Sequence, residues 1–343
     1  MYDIAIVGAG INGSSVAYEM IKAGKKVIIF DGDGIAYGGS GAAGAFISPK
    51  FSKAGELKEL IDKAFDYSMD FYDKNFPHLL TKAPLQHINH DGEKFPLIDA
   101  GIVSAEPMCN ALCKGATFIK ENVEDIYYED DYWVLNEVYS AKEVVLATGA
   151  YKQVISEPYI QLRGVWGHRI DIKTSTLNDK SIHQFVSISP SKDGVLAIGA
   201  THNLDYHPQT SKEPYDVAEG RLELLEKASR TIDLKDVEVI KDYTGLRSGS
   251  FDYMPLVGSL VLCNETLECC ERKVKIKKAN YDDFIYYPSL YMINGNGGYG
   301  FVLAPYLAKK LSEHILSGKK LDDRLSPARF FHRWAKRNSK ELL

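Results

Sequence analysis

At 343 residues, with 45% apolar and 25% charged side chains, the chain has the size and composition of a globular enzyme with a large core, and two closely packed domains are expected. A net charge of −5 excludes a global basic field that gathers nucleic acid, leaving only local patches for that task. No apolar run reaches membrane-spanning length, and the five cysteines (Cys109, Cys113, Cys263, Cys269, Cys270) show neither CxxC nor a zinc-type His spacing, so no membrane span and no metal site are expected. The odd cysteine count, and an N-terminus that enters a strand without an apolar leader, predict a reducing cytoplasm.

Asp3 to Val7 read as a short buried strand, followed by Gly8-Ala9-Gly10-Ile11-Asn12-Gly13 and a helix over Ser14–Ala23 that Gly24 ends. A second strand, Val27 to Phe30, closes on Asp31. Strand, glycine turn, helix, strand and acid form the dinucleotide-binding fingerprint. Gly8 permits the tight turn, Gly10 lets a pyrophosphate approach the backbone, and Gly13 lets helix and strand pack closely. The helix N-terminus offers free N–H groups to the phosphates, and Asp31 can accept hydrogen bonds from a ribose.

The next stretch, 34–48, is rich in glycine; it is either a flexible loop or a second place where backbone approaches a ligand, and its position favours the second. Residues 54–76 have the spacing of a long amphipathic helix. Residues 84–104 are short, apolar and Pro-containing and receive no function; His78, His87 and His90 read as surface residues. Over 116–146 a strand, a hairpin with a charged turn near Asp130 and a further strand are expected, ending on Ala147-Thr148-Gly149-Ala150, a candidate second approach to the dinucleotide. Strand-like runs follow at 164–172, 182–189 and 194–199, then a helix at 214–230 and a strand at 237–243. Residues 245–258 place Arg247 among small residues, and 290–316 give a strand, a turn holding Gly295, Gly297, Gly298 and Gly300, and a helix in which Pro305 marks a kink or the true start. A second helix N-terminus aimed at a cofactor favours negative charge there, which suits a reduced flavin better than a nicotinamide.

These elements together resemble the D-amino-acid-oxidase-like family of FAD-dependent amine oxidoreductases. The carriers are Gly8–Gly13 with Asp31, the loop Gly39–Phe46, Ala147-Thr148-Gly149, Arg163-Gly164, Gly199-Ala200-Thr201, Gly245-Leu246-Arg247 with Asp252 and Pro255, and Gly295–Gly300, in the family's order along nearly the whole chain. Within the family the chain looks most like the FAD-dependent oxidoreductase domains of tRNA 5-methylaminomethyl-2-thiouridine biosynthesis. Ser40–Lys53, Met254–Leu260 with the charged insertion before Tyr291, Leu303–Leu311 and Leu325–Arg337 carry that likeness. The resemblance implies an α/β fold with an α+β second domain: a Rossmann-like, glutathione-reductase-2-like FAD-binding domain (1–80, 101–160 and 245–343) and an inserted β-rich substrate domain (81–100 and 161–244).

By the same resemblance, FAD is expected on Gly8, Gly10, Ile11, Asn12, Gly13, Asp31, Gly32, Ser40, Gly41, Ala42, Ala43, Gly44, Val123, Thr148, Gly149, Gly297, Gly298, Tyr299, Gly300 and Phe301. With no cysteine near Arg247, the flavin is expected to be held without a covalent bond. Arg247 matches the family's carboxylate-binding arginine, a task suited to its planar fork; the alternative is a surface arginine in a turn. Ser187 stands where many relatives have a tyrosine, and Tyr299 either lines the flavin edge or packs; Arg247, Tyr299 and Ser187 are the candidate catalytic residues. The relatives remove the carboxymethyl group of a carboxymethylaminomethyl uridine at the tRNA wobble position, releasing glyoxylate, so tRNA is an expected partner. The family's methyltransferase domain has no place in these 343 residues, so a separate methyltransferase is a second expected partner. Basic runs at 271–278 and 306–343 are where tRNA phosphates would sit, or are solvated faces. A small-molecule glycine, sarcosine or D-amino-acid oxidase, and a flavin-bearing binding subunit, are the alternatives.

Overall fold

The computed structural model describes all residues except 152, 276–277 and 339–343. The first unit is β1 (Tyr2–Val7), α1 (Ile11–Lys22) and β2 (Val27–Phe30), and the glycine-rich loop after it contributes only β3 (Phe46–Ile47) before α2 (Glu56–Asn75). The stretch to which the sequence assigns no function forms β4 (Leu80–His87) and β5 (Ile98–Val103). Then come α3 (Ala105–Leu112), β6 (Thr117–Ile119), a hairpin of β7 (Ile126–Glu129) and β8 (Tyr132–Leu135), and β9 (Tyr139–Leu146). The middle of the chain supplies β10 (Leu162–Lys173), β11 (Ser181–His183), β12 (Ser187–Ile188), β13 (Val195–Gly199), α4 (Val217–Ser229) and β14 (Glu238–Ser250). It ends in β15 (Leu256–Val261), α5 (Cys263–Lys275), β16 (Tyr286–Asn294), α6 (Gly300–Ser317) and α7 (Ala328–Asn338).

Among the described residues these strands make two eight-stranded sheets, so the fold is mixed α/β as expected. The first runs β15-β16-β9-β1-β2-β6, parallel from β16 to β6, with the β7–β8 hairpin attached to β9. Alternation along its central strand divides the core. Ile4 and Ile6 point to the face covered by α1, α2, α3 and α6, while Ala5 and Val7 point to the face covered by α5, α7 and the hairpin. β1 lies between β2 and β9, so the sheet order switches direction at its carboxyl end, where an open α/β sheet binds its ligand.

The second sheet runs β14-β10-β13-β12-β11-β4-β5-β3, with α4 packed on it through Leu224 and Ala228. Two expectations need correction here. The run 182–189 is two short strands, because the chain reverses at Gln184–Val186 and pairs Ile182 with Ile188 and His183 with Ser187. The strand expected at 237–243 continues to Ser250, because β10 pairs with it along its whole length, and Arg247 therefore stands on a strand opposite Val165 rather than in a turn. The expected domain boundaries at 80/81, 100/101 and 244/245 fall inside β4, β5 and β14, whose pairing carries each whole strand into the second sheet.

Pro305 is inside α6, which starts at Gly300 after a 3-10 turn over Gly297–Tyr299. A proline has no N–H for the carbonyl four residues back, here that of Phe301. Tyr72 supplies the missing donor: its hydroxyl donates to Phe301 O at 2.8 Å, and the next carbonyl, Val302 O, accepts from Ser68 Oγ at 2.7 Å. Tyr72 is fully buried, so Tyr72→Phe leaves a buried carbonyl without a partner. That costs about 1–3 kcal/mol. Denaturant unfolding is the check, and an unchanged midpoint would show that the carbonyl finds another donor.

Candidate functional site

An elongated cavity of about 750 Å³ runs from the carboxyl end of the first sheet to the face of the second. At one end it is lined by Asp31, Gly32 and Glu121–Val123; at the other by Gly167, Arg169, His183, Ser187, Gly199 and Arg247. The loop 38–44 and the turns 147–149 and 296–301 form its walls between these ends.

The α1 end shows how the wall is built. Gly8 has φ +105°, and a Cβ on Gly13 would overlap the Gly8 carbonyl, so turn and helix start fit together only with glycine at both places. The first helical bond runs from Ser14 N to Gly10 O, and Ile11 N donates to Ser40 Oγ at 2.9 Å. The amides of Asn12 and Gly13 have no acceptor within their own helix, which leaves them for an anion. The second glycine turn is tied to this one. Asn296 Nδ2 donates to Asn12 Oδ1 at 2.6 Å, and Asn12 Nδ2 donates to Ile293 O at 3.3 Å. Asn296 Oδ1 is buried in the wall with no hydrogen-bond partner. Asn294 clasps the third side, donating to Gly149 O at 2.9 Å and accepting from Ser248 Oγ at 2.8 Å.

The Asp31 carboxylate is engaged by backbone: it accepts from Ala9 N at 2.8 Å and from Asp33 N and Gly34 N at 3.2 Å. It thus shapes the turn as well as facing the cavity. Gly13 and Gly41 do not line the cavity; a Cβ on Gly41 would overlap Ala36 O, so both serve the packing of the wall. All other residues expected at the cofactor line it, as do Ser187, Tyr299 and Arg247.

Arg247 has a prepared seat. Gly167 on β10 lies under its guanidinium, where a Cβ would stand 2.7 Å from Cζ. Nη1 donates to Thr201 O at 3.1 Å, and Thr201 is pinned by His168, whose N–H donates to Thr201 Oγ1 at 2.9 Å. Among the described residues no carboxylate pairs with Arg247, and burial pulls its guanidinium below the ordinary arginine value. This head is therefore a cation held for an external anion. Burial raises the Tyr299 phenol, with Asp62 adding to it, and Lys50 Nζ stands 5.2 Å from the Tyr299 ring centre.

Several site residues escape the sequence reading, Gly167, Asn294 and Asn296 among them. Arg169 lines the cavity from β10, donates to Asp171 Oδ1 at 2.9 Å and stacks 3.7 Å from the Tyr243 ring; its spacing of two from Gly167 on one strand face was the available signal. His183 lines the cavity from β11 with Nε2 buried and unpartnered. Outside this cavity, His87, read as a surface residue, is half-buried and stacked on Phe51 because β4 belongs to the second sheet. His78 and His90 are exposed as expected.

Burial, with His87 nearby, pushes the His183 imidazole down to about 4 from 6.5. Between those pH values the unfolded chain binds a proton that the folded chain refuses, so stability falls as pH drops through this window. Thermal unfolding should therefore lose less stability from pH 6.5 to 4 in His183→Gln than in the wild type. Parallel curves would mean that His183 is not kept neutral by the fold.

The profile of the FAD dependent oxidoreductase family, DAO, matches residues 3–84 and 98–314. The chain belongs to this family. FAD fits what the family member presents: free amides at a helix start, an unpartnered Asn296 oxygen, and a long cavity between two glycine turns. The tRNA 5-methylaminomethyl-2-thiouridine biosynthesis bifunctional protein MnmC of Legionella pneumophila (strain Corby) is 24% identical over 96% of this chain and 57% of its own length. The protein of that name from Leptospira borgpetersenii serovar Hardjo-bovis (strain JB197) is 22% identical over 96% of the chain and 60% of its own length. The DAO chain thus spans less than two thirds of these relatives. Its fold is that of glycine oxidase from Geobacillus kaustophilus, with a TM-score of 0.73 at 19% identity, covering 96% of this chain and 98% of that one. L-Proline dehydrogenase from P. horikoshii shares it, with a TM-score of 0.71 at 15% identity, covering 96% and 97%. The DAO chain is an FAD-dependent oxidoreductase. Among its described residues no helix is long and apolar enough to cross a membrane, and no cluster of His, Cys, Asp or Glu is arranged to hold a metal.

Part of each basic run is paired within the chain. Lys319 meets Glu313 at 2.7 Å, Lys320 meets Asp323 at 3.2 Å, Arg324 meets Asp322 at 2.6 Å and Lys273 meets Asp283 at 2.5 Å. Arg329 forks onto Asp252 at 2.8 and 2.9 Å, joining α7 to the turn before β15. Burial alone would raise the Asp252 carboxyl, but Arg329, Ser250 and the Met254 amide bring it below its ordinary value. Ile276 and Lys277 of the 271–278 run lie outside the described residues.

Proposed function

We propose that the chain removes the carboxymethyl group of 5-carboxymethylaminomethyl uridine, or its 2-thio form, at the tRNA wobble position, releasing glyoxylate. The observation that carries this reading is the alignment of MnmC relatives along 96% of the chain. The unpaired, seated Arg247 supports it, because the substrate is an N-substituted glycine with a carboxylate to be held.

FAD, when bound, supplies the oxidation by taking up the hydride from the C–H beside the amine; the C=N bond so formed in the substrate adds water and splits into glyoxylate and the aminomethyl uridine. The work of this chain is orientation. Arg247 holds the carboxylate, Ser187 and Tyr299 border the amine, and the glycine turns hold the cofactor by backbone amides. FAD is held without a covalent bond in this reading, since among the described residues no cysteine lines the cavity. The reaction belongs to the cytoplasm with its tRNA, and a separate methyltransferase takes the aminomethyl product onward. The paired surface cations favour a second reading, a small-molecule glycine, sarcosine or D-amino-acid oxidase that needs no phosphate contacts.

Mass spectrometry of tRNA nucleosides from cells lacking the protein separates the two. Accumulated carboxymethylaminomethyl uridine is the expected result. An unchanged nucleoside profile, with flavin reduction by glycine or sarcosine in the purified protein, would favour the small-molecule reading.

A further inference from the structure

Beside the arginine end of the cavity lies a second hollow of about 250 Å³. It is walled by Phe51, His87 and Phe185, and it shares His183, Ser187 and Tyr299 with the main cavity. Phe51 and His87 lie face to face, 4.2 Å between ring centres and 8° between planes, with Phe95 packed against both. His87 Nδ1 and His183 Nε2 are buried and have no hydrogen-bond partner. A buried polar atom left unpaired is costly, so both nitrogens call for a ligand with a polar edge.

We propose that this hollow is a base subsite that receives the uracil ring of the substrate, its face against the aromatic wall and its polar edge toward His87 and His183. The proposal rests on the wobble-uridine reading above. Reach is the argument for the occupant. In that substrate only a methylene and the amine nitrogen separate the ring from the carbon that loses hydride, and the carboxylate follows on that carbon. With the carboxylate on Arg247, the ring must lie in the space adjoining the amine, and the hollow that shares Ser187 and Tyr299 with the cavity adjoins it. Unstacked RNA bases are held in this manner, by aromatic faces and by hydrogen bonds to the base edge.

The test is rapid-mixing measurement of flavin reduction in the FAD-loaded protein, with the free nucleoside 5-carboxymethylaminomethyluridine and with N-methylglycine. Phe51→Ala and His87→Ala should raise the nucleoside concentration for half-maximal reduction about tenfold, or ~1.4 kcal/mol. Their reduction by N-methylglycine should not change. If the Ala variants lose flavin, Phe51→Tyr and His87→Phe, which keep a ring, decide: the first should behave as wild type, and the second should still lose nucleoside affinity. Wild-type nucleoside dependence in the Ala variants or in His87→Phe, or an equal loss with both substrates, overturns the subsite and leaves the tRNA reading standing. A wild-type protein that the nucleoside does not reduce overturns that reading and the subsite with it.

Discussion

Arg247→Ala should lower kcat/KM for a carboxylate-bearing amine by about 30-fold to several-thousand-fold while leaving the flavin spectrum intact. Truncating one partner of a desolvated charge pair costs about 2–5 kcal/mol, and about 1.4 kcal/mol is a decade in rate. The site provides no replacement. Gly167 has no side chain to offer, and Arg169 is already committed to Asp171 and Tyr243. FAD should stay, because its expected contacts are the glycine turns and not β14 alone. Arg247→Lys should recover only part of the loss, since an ammonium cannot make the planar two-point contact. Rapid-mixing flavin reduction with a substrate and its carboxylate-free analogue provides the measurement. The penalty should disappear for the analogue. A wild-type rate for Arg247→Ala with the carboxylate-bearing substrate would move the substrate site elsewhere.

The second large effect is at the fingerprint, where two glycines that look alike in sequence should behave differently. A Cβ on Gly13 would overlap the backbone carbonyl of Gly8, which cannot move without displacing β1 from the centre of its sheet. Gly13→Ala should therefore cost at least about 4 kcal/mol and give little folded protein. A Cβ on Gly10 would meet only the Ser40 hydroxyl, at 3.0 Å, the end of a side chain that can turn away. Gly10→Ala should fold and lose FAD, because the methyl stands where backbone and pyrophosphate approach. Circular dichroism and flavin content of the two purified variants separate the cases. A folded, yellow Gly13→Ala would contradict the packing described.

What was legible in the sequence was local. The opening strand, turn, helix and acid are contiguous, so periodicity and glycine spacing sufficed for 3–31. Arg247 was legible through its motif, but its strand was not. The pattern 245–250 is small and polar, and only pairing with β10 makes it extended. Arg169 and His183 come to the site, and His87 to the hollow beside it, through sheet pairings between segments distant in sequence, and nothing near them in the chain announces a ligand. Tyr72 is a similar case. Its role depends on a proline more than two hundred residues later, and its hydrogen bond spans 229 residues.

The bond between Asn12 and Asn296 spans 284 residues and joins the two turns that face the cavity. On the ribosome, then, the first unit emerges long before its counterpart. β1 waits for β9 to cover its other edge, and α1 waits for α6 to complete the wall. A nascent chain stopped before residue 296 lacks the turn 296–301, and its binding site stays open on that side. Such long-range closure slows folding and leaves sheet edges open in the interim. Cofactor capture is therefore a late event in the life of each molecule, and a supply of free FAD matters most in the moments after the last strand is released.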